Sequence, residues 1–343
     1  MKVLSLFDGI SCARVALERV GIPVETYYAS EIDKYAIQIS NKNYPDIVQL
    51  GDVKTVTKDM VGNIDLLIGG SPCQDLSIAK KNRQGLKGDR SGLFYEYVRI
   101  LREIKPKWFI LENVASMPKE AKETITKELG VEPIMINAAL VSAQNRKRLF
   151  WTNIPNVQQP EDRGILLKDI LEIKVDEKYY VNINNTYGLK GLCENKSHAL
   201  ISSMWKGYGN DGVSLIRVAQ FNSGGQGDRI YSPEGKSTTL SALGGGRGAK
   251  TGLYCISSNQ KHATITEDKS SPLVSAMGMG GGHTPMIFGD NTVIRKLTPI
   301  ECERLQGLPD NYTEGCSNTQ RYKMLGNAFN VDVVAHILSY LNY

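Results

Sequence analysis

The chain has 343 residues, 41% hydrophobic and 22% charged, which excludes disorder of the whole and suffices for one large core or two modest ones. Lys and Arg number 41 against 36 Asp and Glu, and the net charge of +5 permits a polyanionic partner without requiring one. No run reaches the roughly 18 apolar residues of a membrane span, the first ten residues lack the pattern of a cleaved leader, and six scattered cysteines without a CxxC pair plus four distant histidines favour neither a disulfide framework nor a metal site.

Residues 1 to about 154 alternate β-type apolar runs with amphipathic stretches. Val3–Phe7, Glu25–Ser30, Asp65–Ile68, Trp108–Leu111, Pro133–Ala138 and Arg148–Asn153 read as strands. Ser11–Val20, ended by Gly21, reads as a helix, as does Gly92–Ile104 with Leu93, Phe94, Tyr97, Val98 and Leu101 at helical spacing. Strands interleaved with helices predict an α/β fold whose parallel sheet is covered on both faces.

Four places in this stretch carry chemistry. SerLeuPheAspGlyIleSerCys (5–12) breaks at Gly9 between strand and helix, a turn that lets backbone amides approach a ligand, and Glu31 at the end of the second strand is placed for ribose hydroxyls. The full GxGxxG pattern is missing; Asp52 ends the next strand and could meet an adenine edge. In IleAspLeuLeuIleGlyGlySerProCysGlnAspLeuSer (64–77) an apolar strand ends in two glycines, and Cys73 stands at its carboxyl edge, where open α/β sheets place reactive groups. A nucleophilic thiol needs an electropositive setting, which Lys80, Lys81, Arg83, Lys87 and Arg90 supply in the following loop. TrpPheIleLeuGluAsnVal (108–114) ends an apolar strand at Glu112; burying a carboxylate is costly and favours its protonated form, so Glu112 needs a partner or a task and could hold a proton near neutrality. In GlnAsnArgLysArg (144–148), alternation along an extended segment aims Arg146 and Arg148 to one side and Lys147 to the other.

Residues 182–290 change character, holding 19 of the 33 glycines. GluXxxLysSer recurs at 194–197, 234–237 and 267–270, and related apolar runs end at Met204, Leu243 and Met277. A spacing of about 33 to 40 residues reads as repeated turn-and-strand units rather than a tether. After residue 292 helical pattern returns: ThrProIleGlu (298–301) is a capping box with proline at the first helical position, and Val331, Val334, Ala335, Leu338 and Leu341 form one face that packs back on the first domain. The middle is then an insertion into one catalytic domain.

Taken in order, PheAspGlyIleSer, GlyGlySerProCysGln, GluAsnVal, GlnAsnArgLysArg, ArgLysLeuThrProIleGluCysGluArgLeuGlnGly (295–307) and ArgTyrLysMetLeuGlyAsnAlaPhe (321–329) resemble the cytosine-5 DNA methyltransferases of bacteria and phages over essentially the whole chain. The resemblance implies a Rossmann-like S-adenosylmethionine-dependent methyltransferase domain at 1–180, a smaller glycine-rich β or irregular target recognition domain at 181–291, and C-terminal motifs at 292–343. It implies that Phe7, Asp8, Gly9, Ile10, Glu31, Ile32, Asp52, Val53, Pro72, Asn327 and Ala328 hold the cofactor, with S-adenosylhomocysteine as product and no metal. Cys73 would attack C6 of a flipped-out cytosine, Glu112 would hydrogen-bond N3 and the exocyclic amine, and Arg146 and Arg148 would stabilise the thiolate and the intermediate. Gln74, Ser77, Arg83, Arg90, Arg229 and Arg247 would contact double-stranded DNA, with 74–90 as a lid. Ser11 stands where many such enzymes have a second glycine, and Ile32 where some have an aromatic residue. A monomer in the bacterial cytoplasm, or phage-borne in its host, is expected, with or without a companion restriction endonuclease.

Three other readings share parts of this pattern. A nicotinamide dehydrogenase would use the first turn and Glu31 but gives ProCysGln no role. A transfer-RNA cytosine-5 methyltransferase would use the same chemistry, and the large glycine-rich insertion favours DNA over it. A catalytically silent DNA-binding regulator has no need of Cys73, Glu112, Arg146 and Arg148 together.

Overall fold

The computed structural model describes residues 1–72, 91–176, 179, 189–190, 217–221, 229–231, 235–240, 253–257 and 292–341. A seven-stranded sheet is built from β1 (Lys2–Leu6), β2 (Thr26–Ser30), β3 (Val48–Gln49), β4 (Leu66–Gly69), β5 (Trp108–Val114), β6 (Ile134–Asn137) and β7 (Lys147–Thr152) in the order β3-β2-β1-β4-β5-β7-β6. The strands from β3 to β5 pair in parallel, and β7 runs antiparallel to both neighbours. The expected parallel sheet is mixed there. Residues 138–146, which join β6 to β7, are fewer than the roughly a dozen a parallel crossover needs, so the chain must turn back as a hairpin.

Successive residues of the central strands face opposite layers, which is why these strands read as continuous apolar runs. Val3, Leu66 and Ile68 join one core with α1 (Cys12–Arg19), α2 (Lys34–Asn43) and residues of the C-terminal part. Leu4, Leu6, Leu67 and the fully buried Trp151 join the other, under α4 (Phe94–Ile104) and α5 (Lys119–Leu129), with the single turn α3 (Lys58–Val61) beside α4.

The C-terminal part contributes α6 (Pro299–Leu305), α7 (Asn318–Asn327) and α8 (Val331–Leu338). The capping box opens α6 as expected: the Thr298 hydroxyl accepts from Glu301 N at 3.2 Å, and Glu301 Oε2 accepts from Thr298 N at 2.9 Å. Glu301 is fully buried, and Arg295 meets it with two hydrogen bonds of 2.7 and 2.6 Å. Helix α8 packs on α1, so the chain's end returns to the first domain as its apolar face requires. Arg19 donates to Asp332 at 2.8 Å and to the Gly307 carbonyl at 2.5 Å, and a Cβ on Gly307 would lie 2.5 Å from Asp332 Oδ2.

A second sheet, in the order β12-β11-β10-β9-β8, comprises β8 (Leu189–Lys190), β9 (Arg217–Phe221), β10 (Arg229–Tyr231), β11 (Leu253–Ser257) and β12 (Thr292–Lys296). Its last strand lies past residue 291, in the part expected to carry the C-terminal motifs. The repeats at 194–197 and 267–270 and the runs ending at Met204 and Met277 lie outside the described residues, as do the last three residues of the run ending at Leu243. In the remaining repeat, Ser237 forms an isolated bridge with Gln144 instead of joining the second sheet. Among the described residues no helix is long and apolar enough to cross a membrane.

Candidate active site

One pocket of about 340 Å³ opens at the carboxyl edge of the seven-stranded sheet, where β1 and β4 lie side by side and the next described α-helices, α1 and α4, cover opposite faces. Because β7 is reversed, its beginning reaches the same edge as the ends of β1, β2, β4 and β5, and the motifs converge. The loop after β1 supplies Phe7, Asp8, Gly9 and Ile10; the segment after β2 supplies Glu31, Ile32 and Asp33; Asp52 and Val53 follow β3. Pro72 follows β4, Glu112 comes from β5, Arg146 and Arg148 from β7, and Lys323, Asn327 and Ala328 from α7 and its end.

Phe7, Gly9 and Ser11 all have positive φ, near 60°, so the first loop winds through the left-handed region at alternate residues. A residue in that region at position 11 favours glycine, and the structure shows what serine gains by standing there. The Ser11 hydroxyl donates to Asp8 Oδ2 at 2.6 Å, and the Tyr27 hydroxyl donates to Asp8 Oδ1 at 2.7 Å. Burial pushes the Asp8 carboxyl above its ordinary range against the hydrogen bonds from Ser11 and Tyr27. Asp8 therefore shapes the loop from beneath. Glu31 ties the loops together, accepting from the backbone N–H of Gly9, Ile32 and Asp33, each at 2.8 Å. A carboxylate has about four acceptor sites, so one remains for a ligand hydroxyl. Ile32 is 73% exposed at the rim, an apolar surface available to a flat ring.

Glu112 has the partner that its position demanded: Arg148 Nε lies 2.8 Å from Glu112 Oε1. In the β5·β7 register Arg148 sits opposite Val114, two residues from Glu112, so the pair are diagonal neighbours on one face. The guanidinium supplies the compensation that a carboxylate at the end of an apolar strand calls for. Arg146 is buried and donates to the carbonyls of Gly326 at 3.4 Å and Ala328 at 2.9 Å, on either side of Asn327. Both arginines thus border the pocket.

The two glycines after the fourth strand's apolar run answer to close packing. A Cβ on Gly70 would lie 2.7 Å from the Phe329 ring and 3.2 Å from Glu112 Oε2; one on Gly69 would lie 2.9 Å from the Leu6 carbonyl. Asn113 then donates to the carbonyl and hydroxyl of Ser71 at 3.3 and 3.1 Å, fixing the chain two residues before Cys73.

Cys73, Gln74, Ser77, Arg83, Arg90 and Arg247 lie outside the described residues, and of Arg229 only the backbone, in β10, is described. Sequence reasoning assigned no role to Asn113, or to the Lys323–Asp33 pair, 2.6 Å apart at the pocket wall. Desolvation of Asp33 is outweighed by Lys323 and the Tyr35 N–H, which hold the carboxyl below its ordinary range. Both Asn113 and Lys323 stand inside motifs quoted above, but which atoms they meet depends on the fold. Among the described residues no cluster of three or more His, Cys, Asp or Glu is arranged to hold a metal.

The family model for C-5 cytosine-specific DNA methylase matches residues 1–342. Orphan methyltransferase M.SPRI of Bacillus phage SPR is 28% identical, across 99% of this chain and 97% of that protein. Type II methyltransferase M.HhaI of Haemophilus parahaemolyticus is 28% identical, across 100% of this chain and 93% of its own. In three dimensions the chain resembles Entamoeba histolytica methyltransferase EhMeth, with a TM-score of 0.68 at 18% identity, covering 99% of this chain and 97% of that one. It also resembles the S. pombe Dnmt2 methyltransferase, with a TM-score of 0.61 at 19% identity and full coverage of both chains. At such identities the structural likeness speaks for the fold.

Proposed function

The chain belongs to the C-5 cytosine-specific DNA methylase family, whose members move a methyl group from S-adenosylmethionine to cytosine C5, and on that premise we propose that it methylates a flipped-out cytosine in a short sequence of double-stranded DNA through a bond from Cys73 to C6. The observation that carries this reading is the Arg148–Glu112 ion pair in one pocket with Arg146 and with Pro72, the residue before Cys73.

The pocket suits the cofactor in the chemistry of its donors. Glu31 offers one open acceptor position to a ribose hydroxyl, Asp52 an exposed carboxylate to an adenine amine, and Ile32, Val53 and Pro72 apolar surface to the ring. When bound, S-adenosylmethionine supplies a methyl group made electrophilic by its sulfonium and leaves as S-adenosylhomocysteine. The Cys73 thiolate forms the C6–S bond, and the displaced electron pair makes C5 nucleophilic. Glu112 hydrogen-bonds N3 and the exocyclic amine as electron density arrives in the ring, while Arg148 holds the side chain in place. After C5 takes the methyl group its proton departs to a base, the C5–C6 double bond reforms and Cys73 is expelled.

The base must leave the duplex for this, at a cost of a few kcal/mol, and residues 74–90 follow Cys73 as the lid and DNA contact. Duplex DNA as substrate is supported by the bacterial and phage relatives. One of those is named a type II enzyme and the other an orphan, so a restriction endonuclease partner is supported by the first alone. A monomer acting in the cytoplasm fits this reading. Mapping 5-methylcytosine in DNA from expressing cells, beside methyl transfer to duplex DNA and to transfer RNA in vitro, tests it. Methylation of duplex DNA at one short sequence is expected; transfer to RNA alone would move the assignment to the RNA enzyme.

A further inference from the structure

Where the second module meets the first, the structure buries a cation that the methyl-transfer chemistry does not use. Lys236, only 6% exposed, donates from Nζ to the Ser142 carbonyl at 3.3 Å and to the Ile165 carbonyl, with Asp162 Oδ1 at 3.9 Å. Around it, residues 235–239 run along the loop that enters β7. Leu167 N donates to the Gly235 carbonyl at 2.9 Å, Ser237 N to Ala143 O at 2.7 Å, Asn145 N to Ser237 O at 2.9 Å, and the Thr239 hydroxyl to Asn145 O. Gln144, in the centre of this loop, is fully buried, and neither polar atom of its amide makes a hydrogen bond, so its side chain does not anchor the loop. The next residue but one is Arg146, whose guanidinium holds the carbonyls on both sides of Asn327. A continuous run of contacts therefore joins the second module to the two arginines and to the wall of the cofactor pocket.

We infer that Lys236 is a positioning residue for methyl transfer: it clamps residues 235–240 onto loop 142–146 and so sets where Arg146 and Arg148 stand. The inference rests on the reading that those arginines serve the reaction. Burial lowers the pKa of Lys236 against the pull of Asp162 and Asp169, the charged groups that face it among the described residues. A lysine whose folded pKa lies below its unfolded one takes stability from the fold while protonated, and returns it as the pH rises through the folded value. The clamp thus costs stability at neutral pH, and an apolar side chain of similar length should fold at least as well.

The test compares Lys236→Met, which keeps the stem without the charge, with Lys236→Arg, which keeps the charge. The Met variant should unfold at the wild-type temperature or above, yet lose about ten- to a hundred-fold in kcat, the scale of a small misplacement of catalytic groups. The Arg variant should recover most of that loss. Wild-type kcat should decline on an alkaline limb while far-UV circular dichroism stays constant; the limb should vanish in Lys236→Met and move to lower pH in Asp162→Asn. Unchanged kcat in Lys236→Met, or activity lost only in step with thermal stability, would overturn the inference. Should the Met variant not fold, an alkaline limb unmoved by Asp162→Asn would overturn it instead. Arg146→Ala and Arg148→Ala, run alongside, separate the two levels. Full turnover in both removes the reading underneath, whereas their loss beside an intact Lys236→Met removes this inference alone.

Discussion

Glu112 shows what a single residue's position in the sequence can and cannot reveal. An acid closing an apolar strand announces that something must compensate its charge, and the structure supplies Arg148 at 2.8 Å. The partner's identity was hidden because it depends on β7 lying beside β5, a non-local pairing with no trace in local pattern. Glu112→Gln keeps the shape but loses the ion pair and the capacity to stabilise a proton at N3, so turnover should fall by roughly two orders of magnitude or more. Cofactor affinity, measured by titration without DNA, should stay near wild type. Unchanged single-turnover rates would mean that another group meets N3.

At the scale of elements, periodicity and strand-end motifs located β1, β2, β4, β5, β6 and β7 because each is a short apolar run bounded by polar residues or glycine. Direction was another matter: the reversal of β7 follows from the length of its connection to β6. The first loop was legible as a turn at Gly9, but not its left-handed conformation at Ser11. Magnitudes decide what Ser11→Gly should do. Relief of a left-handed serine is worth about 1 kcal/mol, while losing the hydroxyl's hydrogen bond to the buried Asp8 carboxyl costs about 1.5–3 kcal/mol. The variant should be less stable by about 1 kcal/mol in equilibrium denaturation, and a stabilised variant would show that backbone strain dominates the loop.

For the molecule as a whole, the order of the motifs along the chain gave the family, and the sheet edge explains why residues as far apart as Phe7 and Asn327 share one pocket. The glycine-rich middle stands apart in composition, while the contacts of Lys236 and Ser237 with loop 142–146 were not legible, since the repeated GluXxxLysSer units look alike in sequence. If residues 182–290 choose the target and the rest performs the chemistry, exchanging that module for that of a relative with another target should move the methylated sequence. An active chimaera that still modifies the original site would place recognition elsewhere.

Central to the account is a covalent bond from Cys73 to the target base, and one measurement reaches it directly. A duplex carrying 5-fluorocytosine at the target position, incubated with the protein and S-adenosylmethionine, cannot lose the C5 substituent and should remain joined to the enzyme. Denaturing electrophoresis followed by peptide mass spectrometry should find the adduct on Cys73, and none with Cys73→Ala. Robust methylation of ordinary DNA without any adduct on the fluorinated duplex, or an adduct on another residue, would contradict the mechanism.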